Sequence, residues 1–468
     1  MGEADIGRPL ELKKWFLRLM PCYILHGRQK TTRRNHEVND STTAFRAREQ
    51  LRKFLGIFSP HFPKRTKEFL GQMFFGIQAA RDTLVSEIAG ALREDCLSKK
   101  TQERLERHLA KDGLAYRVHQ CILEDAAKSI GQSTLVILDG TDIQKAYAER
   151  MEHLAKVWDG SEGKVGDGLG YTCCMAVACE NGCRKIVPLH MRLWSSAAPD
   201  FVCEHDEVQQ AIMQIALATG NRGIYVYDRG GDSETMFRFY AENGLDFIVR
   251  LVGDRNLVDW GRREELAETL AEQCPMRYED SVESRSHGKV RNVRVRYGSL
   301  PVRLPFLPDV ELRMVVVRWP ARDGKPPPKP MMLLTTLSAA RSRASLWEVV
   351  QGYLTRWRVE DTIRYVKQSY RLEHMRMMRY GRLRNMAAIV AAVAYFAAAW
   401  LGLRTRLSVL AEHVAKMSRK MMRTPDFFYY ALADGLRWLF VSHGRWTGAD
   451  PPDRRRASPQ MELALSYP

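Results

Sequence analysis

Between residues 44 and 131 the apolar positions recur every three to four residues. They do so in AFRAREQLRKFLGIF, in PKRTKEFLGQMFFGIQAARDTLVSEIAGAL and in TQERLERHLAKDGLAYRVHQCILEDAAKSI. That 3.6-residue period predicts amphipathic helices, with Pro63 and Ser98 placed where helices start. The period then shifts to short, β-branched runs. Thr134–Leu138 (TLVIL), Tyr171–Ala178, Arg184–Arg192, Gly223–Tyr227 (GIYVY) and Phe247–Leu251 predict five strands, and Glu204–Ala218 and Ser233–Asn243 return to helical spacing. Glu180-Asn181-Gly182, lying between two alternating runs, is the signal of a β-hairpin. Strands alternating with helices in this order predict an α/β sheet, and two of the strands run directly into an Asp at one sheet edge.

Beyond residue 253 the core pattern is interrupted. VRNVRVRY and ELRMVVVRW alternate as strands, and RDGKPPPKP is a loop that cannot be helical. MMLLTTL reads as another strand, and from Ser345 one long helix is expected. The organisation predicted is a basic mobile arm (1–43, with at most a short helix near Leu10–Met20), an all-helical N-terminal domain (44–131) and the first part of an α/β core (132–252). A β-rich insertion (253–337), the second part of the core (338–404) and a helical C-terminal region with a basic tail (405–468) complete it. Helical segments such as Thr424–Phe440 could pack within the chain or pair with a second copy. No internal repeat or sustained heptad is visible.

Composition narrows the function. Lys plus Arg exceed Asp plus Glu by 72 − 55 = 17 in 468 residues, which favours a polyanionic partner over a neutral small molecule. The start, MGEADIGRPLELKKWF, lacks the basic and apolar regions of a secretory signal, so a cytoplasmic protein is expected, nucleoid-associated if it binds DNA. The uncharged run Asn385–Leu403 is Ala-rich and flanked by Arg; a packed core helix is the reading, with no membrane partner. Nine cysteines in such a chain are expected to stay reduced. Cys173, Cys174, Cys179, Cys183 and Cys203 cluster, but without the paired knuckles of a structural zinc site.

The chemistry concentrates in GYLTRWRVEDTIRYVK. Tyr353, Arg356, Glu360 and Lys367 project within roughly 60° of one another on a regular helix and span roughly 21 Å of it. A carboxylate thus lies inside a stripe of phosphate-binding groups, which Arg364 and Arg371 extend, while Trp357 offers a ring for stacking a base. Taken alone such a face is usually a solvated one. Asp139 in ILDGTDI and Asp228 in YVYDRGGDSETM each follow an apolar strand. Each alone is a polar strand-end turn, with Asp142 as a rival to Asp139 and Asp232 or Ser233 as the cap of the next helix. Two strand-end Asp residues and a helical Glu can converge at one edge. Such an all-oxygen set suits Mg²⁺ or Mn²⁺ rather than Zn²⁺, and two such ions can drive in-line displacement at a phosphodiester.

Asp139, Asp228 and the Tyr353/Arg356/Glu360/Lys367 set, with the DRGGDS and RWRVE segments, resemble the signature of the IS4-type DDE insertion-sequence transposases, the superfamily that includes the Tn5 transposase. The resemblance covers approximately residues 131–403. It implies an RNase H-like core with a β insertion before the Glu-bearing helix, and Asp139, Asp228 and Glu360 as catalytic ligands of two divalent ions, Mg²⁺ with Mn²⁺ as substitute. It also implies binding of double-stranded DNA, both element ends with terminal inverted repeats and target, and cut-and-paste strand transfer by a homodimer. Members resembling Tn5 carry a Trp just after the insertion; here that stretch reads Pro330-Met331-Met332-Leu333-Leu334. The alternatives are a transposase-derived DNA-binding regulator without catalysis and a stand-alone metal-dependent endonuclease.

Overall fold

The computed structural model describes residues 40–145, 148–159, 164–183, 185–286, 289–321, 326–337, 341–418, 428–443 and 446. Most of the predicted arm and its short helix, and the basic tail, lie outside these residues. Among the described residues five helices come first: α1 (Asp40–Leu55), α2 (Lys64–Ala80), α3 (Val85–Leu92), α4 (Ser98–Leu109) and α5 (Leu114–Ala126). Their apolar stripes bury Phe54, Phe74, Leu105 and Ile122 completely, as the 3.6 period requires. The strands then begin with β1 (Leu135–Gln144), β2 (Ala155–Asp159), β3 (Lys164–Cys179) and β4 (Val187–Trp194). Next come α6 (Glu204–Thr219), β5 (Ile224–Tyr227), α7 (Glu234–Glu242) and β6 (Asp246–Arg250).

The stretch after residue 253 supplies β7 (Asn256–Val258), β8 (Glu264–Leu266), the short helix α8 (Ala267–Gln273), β9 (Tyr278–Ser286), β10 (Lys289–Leu304) and β11 (Leu307–Arg318). The chain returns through β12 (Met331–Thr335) to α9 (Arg343–Thr355), α10 (Trp357–Ser369), α11 (Tyr380–Tyr395, continued by a π-helical turn to Leu401), α12 (Ser408–Ser418) and α13 (Phe428–Ser442).

All twelve strands form one mixed, mostly antiparallel sheet in the order β2-β3-β1-β5-β6-β12-β11-β10-β7-β8, with β4 paired to β3 and β9 to β10. Only β1, β5 and β6 run parallel. Their residues Leu135–Leu138, Tyr225–Tyr227 and Phe247–Val249 are buried, as strands covered on both faces require. The predicted Asn-Gly hairpin joins β3 to β4: Gly182 takes φ +68° and Cys183 N–H bonds to Glu180 O at 2.9 Å. Cys173, Cys174 and Cys179 are buried in β3, whereas Cys203 caps α6. Burial pushes the Cys173 and Cys179 thiols up to about 12, so both stay protonated.

The apolar run near residue 390 is α11. By length and composition Tyr380–Leu401 could cross a membrane, but 94% of its apolar window is buried by the rest of the chain. It lies against β4, α5 and α2. The buried amide of Asn385 joins the end of α4 to the start of α5, accepting from Ala115 N–H at 2.8 Å and donating to Leu109 O and Lys111 O. The C-terminal helices pack within the chain, α13 against α2 and α12. Gly435 permits that approach, since a Cβ there would stand 1.8 Å from Val414 O.

The imidazoles of His119 on α5 and His190 on β4 stack at 3.8 Å between centroids, both buried. His119 Nε2 accepts from Met191 N–H at 3.2 Å, and His190 Nε2 meets Gln214 at 3.0 Å. Burial favours the neutral rings and lowers His190 to about 4. An unfolded histidine titrates near 6.5, so between these values the unfolded chain binds the extra proton and stability falls as pH falls. We expect thermal unfolding to show a loss of about 2–3 kcal/mol from this site between pH 7 and 4.5. His190→Gln should flatten that slope; an unchanged slope would remove the pair from the account.

Two expectations need correction. The β1 strand does not stop before Asp139 but runs on to Gln144, because antiparallel pairing with β3 continues. The long helix from Ser345 is two helices, divided at Arg356, where Arg356 N–H bonds to Tyr353 O and Val359 N–H to Arg356 O, each at 3.0 Å. These three-residue closures tighten one turn. The short pieces β2, β7, β8 and α8 carry no clear periodic signal.

Candidate active site

The sheet opens between β1 and β5. Parallel pairing of β1 with β5 runs from Leu135↔Ile224 to Ile137↔Val226, while β1 stays on β3 as far as Gln144. Beyond Ile137 and Val226 the two strands no longer pair, and Asp139 and Asp228, two residues on in each case, stand at the mouth of that gap. Asp139 accepts from Gly140 N–H at 3.1 Å. Asp228 accepts from Gly230 N–H at 2.9 Å and caps a single 3-10 turn, Arg229–Gly231. A side chain at Gly231 would meet the Tyr227 ring at 2.8 Å, so the turn needs glycine. Asp232 faces elsewhere: it takes Val252 N–H at 2.7 Å and pairs with Arg255, tying the loop to the end of β6. Ser233 is the cap of α7, accepting from Met236 N–H.

Glu360 comes from the first turn of α10 and meets the strand-end residues through Arg356. One guanidinium nitrogen donates to Asp139 Oδ2 at 3.1 Å and the other to Glu360 Oε1 at 3.0 Å. The Arg356 side chain is 8% exposed, so its charge is held inside the protein. Burial opposes that charge, but Asp139, Tyr353, Asp228 and Glu360 together outweigh it and hold the guanidinium above its ordinary value. Asp228 is thus within electrostatic reach of the same cation, although its hydrogen bond goes to Gly230. The guanidinium also lies 5.2 Å from the centroid of Trp357 and 6.0 Å from that of Tyr353.

The other motif residues occupy different depths. Tyr353 is 2% exposed, and Trp357 is half-buried against the core. Lys367 lies between Glu373 (3.1 Å) and Asp142 (3.7 Å), so the rival Asp142 has its own partner on α10. Arg364 faces Asp361 at 3.7 Å, and Arg371 pairs with Asp82 at 3.3 Å; both are substantially exposed. The structure therefore brings Asp139, Arg356 and Glu360 into direct contact, with Asp228 near. It places Arg364, Lys367 and Arg371 progressively farther along the chain from that contact.

Several contributors carry no sequence signal. Lys145 is buried and donates to Glu373 O at 2.5 Å; desolvation lowers it to about 8 against the pull of Glu373. Asp361, next to Glu360, is raised by burial to about 6 although Arg358 and Arg364 flank it. The helical layer fixes the far end of α10: Arg81 donates to Ser369 O and pairs with Asp434 of α13, and Thr83 donates to Arg371 O at 2.9 Å. These contacts link residues nearly 300 positions apart, which no local pattern announces.

Among the described residues no three His, Cys, Asp or Glu side chains are grouped so as to hold a metal ion. The carboxylates are arrayed around a guanidinium instead. Their chemistry nonetheless fits a hard divalent cation: the donors are all oxygen, and two of them already hold one positive charge between them.

Comparison with known proteins gives the class. The family described as "Transposase DDE domain" matches residues 131–396, more than half of the chain. The chain belongs to that family: it is a DDE-type transposase, of a class whose chemistry is cleavage and transfer of DNA strands with divalent metal ions. Among solved structures it is similar to a piggyBac transposase in a synaptic complex with hairpin DNA, at 11% identity and a TM-score of 0.38, over 86% of this chain and 81% of that one. No curated protein sequence matches.

Proposed function

We propose that this chain is an IS4-type insertion-sequence transposase with an RNase H-like core, which binds the terminal inverted repeats of its element and moves it by cut-and-paste. The observation that carries the reading is Arg356, bonded at once to Asp139 and Glu360 and stabilised by the charge of Asp228. Residues 217 and 4 positions from Arg356 meet on its two nitrogens. In this reading Asp139, Asp228 and Glu360 are the catalytic carboxylates and would hold two Mg²⁺ ions, or Mn²⁺ in their place. Bound there, the ions would supply the positive charge that eases attack on a phosphodiester by water or a 3′-hydroxyl.

The chain's own residues do the positioning. The divergence of β1 from β5 gives the scissile phosphate an approach to Asp139 and Asp228. Arg356, held beside the rings of Tyr353 and Trp357, limits the repulsion among three like charges. Arg364 and Lys367 on α10, with Arg371 just beyond it, would follow the phosphate backbone, and Trp357 at the start of α10 and Tyr353 on α9 would back its inner end. Residues 44–131 serve as the end-binding region, residues 253–337 as the insertion, and two copies act together on paired ends at the nucleoid.

The test is an assay with a labelled duplex that carries the inverted repeats flanking the coding region. Nicked product with a free 3′-hydroxyl, followed by joining to a target plasmid in Mg²⁺, is the expected result. Cleavage without joining would assign a stand-alone endonuclease, and salt-dependent binding without products a regulator.

A further inference from the structure

The insertion carries a second feature unconnected with the carboxylates. Strands β7 and β8 pair at Asn256↔Leu266, Leu257↔Glu265 and Val258↔Glu264, and residues 259–263 (DWGRR) close them. The closure is firmly built. Asp259 N–H donates to Arg263 O at 2.9 Å, and the Asp259 carboxylate accepts both the Arg263 N–H at 2.8 Å and its guanidinium at 3.2 Å. Arg262 adopts φ +62°, a backbone region non-glycine residues avoid. This tip holds Trp260 outward with 76% of its surface exposed, the most exposed aromatic ring among the described residues. An indole kept in water by a rigid turn forgoes the burial that usually places tryptophan.

Beside the ring lies an open depression of about 280 Å³, shared with Arg262 on the tip and Arg303 on β10. Its two acids are engaged elsewhere: Asp259 by Arg263, and Glu311 by Arg341 at 4.0 Å. Arg262 and Arg303 are exposed. A flat ring that shares a depression with two arginines matches an aromatic base and its phosphates. A base inside a duplex hides its face, so the matching partner is an unpaired nucleotide.

Strand order places this tip away from the catalytic gap: β6, β12, β11 and β10 all lie between β5 and β7, which joins β10 at Arg303↔Val258. At about 4.8 Å per strand, the five strand steps from β5 to β7 put the tip on the order of 25 Å from the carboxylate edge.

We propose that the Trp260 hairpin is a second nucleic-acid contact, stacking an unpaired base of single-stranded DNA on the indole with its phosphates on Arg262 and Arg303, at a distance from the cut. The proposal rests on the transposase reading, yet can fail without it. The probes are a fluorescent single-stranded dT oligonucleotide and a blunt duplex of equal length, titrated against full-length wild type, Trp260→Ala, Trp260→Phe and Arg262→Ala/Arg303→Ala, with thermal unfolding as the folding control. The exposed positions should leave unfolding unchanged. Trp260→Ala should weaken single-strand affinity about ten-fold or more, with Trp260→Phe intermediate, and leave duplex affinity within about two-fold. The double arginine variant should lower the salt dependence of single-strand binding. Equal affinities for wild type and Trp260→Ala, or equal losses on both probes, overturn the proposal while the transposase reading stands. A change in oligomer mass with no change in oligonucleotide affinity assigns the tip to a protein contact and also overturns it. No binding to either probe defeats both readings.

Discussion

Asp139→Asn, Asp228→Asn and Glu360→Gln are each expected to lower Mg²⁺-dependent cleavage of an element end by at least ~10³-fold, since each removes a negative oxygen donor at the proposed site of phosphodiester attack. The amides are chosen because they keep size and one acceptor oxygen, so Arg356 retains a partner at Asp139 and at Glu360. The fold should survive: Asp139 and Glu360 are only partly buried, and the Asp228 bond to Gly230 can be kept by an amide oxygen. Binding of the duplex end, measured by gel shift without divalent ions, should stay within a few-fold of wild type. Asp142→Asn, which touches only the Lys367 pair, should reduce cleavage far less. Full cleavage by any of the three carboxylate variants removes that residue from the catalytic set.

Arg356→Gln should give the largest effect on stability. It deprives Asp139 and Glu360 of a buried positive partner, and breaking such a pair from one side costs about 3 kcal/mol in buried settings. The partial exposure of both carboxylates, 17% and 25%, reduces this, so about 1–3 kcal/mol is expected by urea or thermal unfolding without divalent ions. Added Mg²⁺ or Mn²⁺ should then raise the unfolding temperature of Arg356→Gln more than that of wild type, because the guanidinium no longer competes for the same oxygens. Combining Arg356→Gln with Glu360→Gln should cost less than the sum of the two, as one charge no longer strands the other. Identical metal responses in wild type and Arg356→Gln would mean that these oxygens are not where the ions bind.

Much of the site's layout could be read locally. The β-rich runs TLVIL and GIYVY lead into Asp139 and Asp228, the Gly pair after Asp228 permits the tight turn, and Ser233 is the helix cap. Glu360 and Arg356 are four residues apart, a spacing at which helix side chains meet. The break at Arg356 was not legible, because its backbone stays helical and only hydrogen-bond spacing changes. Nor were the depths of Tyr353 and Lys367: a helix-face projection shows which residues share a side, not which of them the sheet will cover. The extension of β1 beyond Asp139 depends on β3, whose pairing residues lie some thirty positions later.

What the sequence determined by itself is the set of local choices: which runs are helix or strand, where turns fall, and which charged residues share a helix face. Those follow from steric preference and periodicity within a few residues. Only the tertiary structure decided that Asp139, Asp228 and Glu360 surround one guanidinium, and that Arg81, Asp82 and Asp434 anchor the far end of the Glu-bearing helix. It alone left Trp260 on a rigid tip in water. Charge neutralisation and burial act through space, so the partner of each buried charge is settled by how the sheet and helices close on one another.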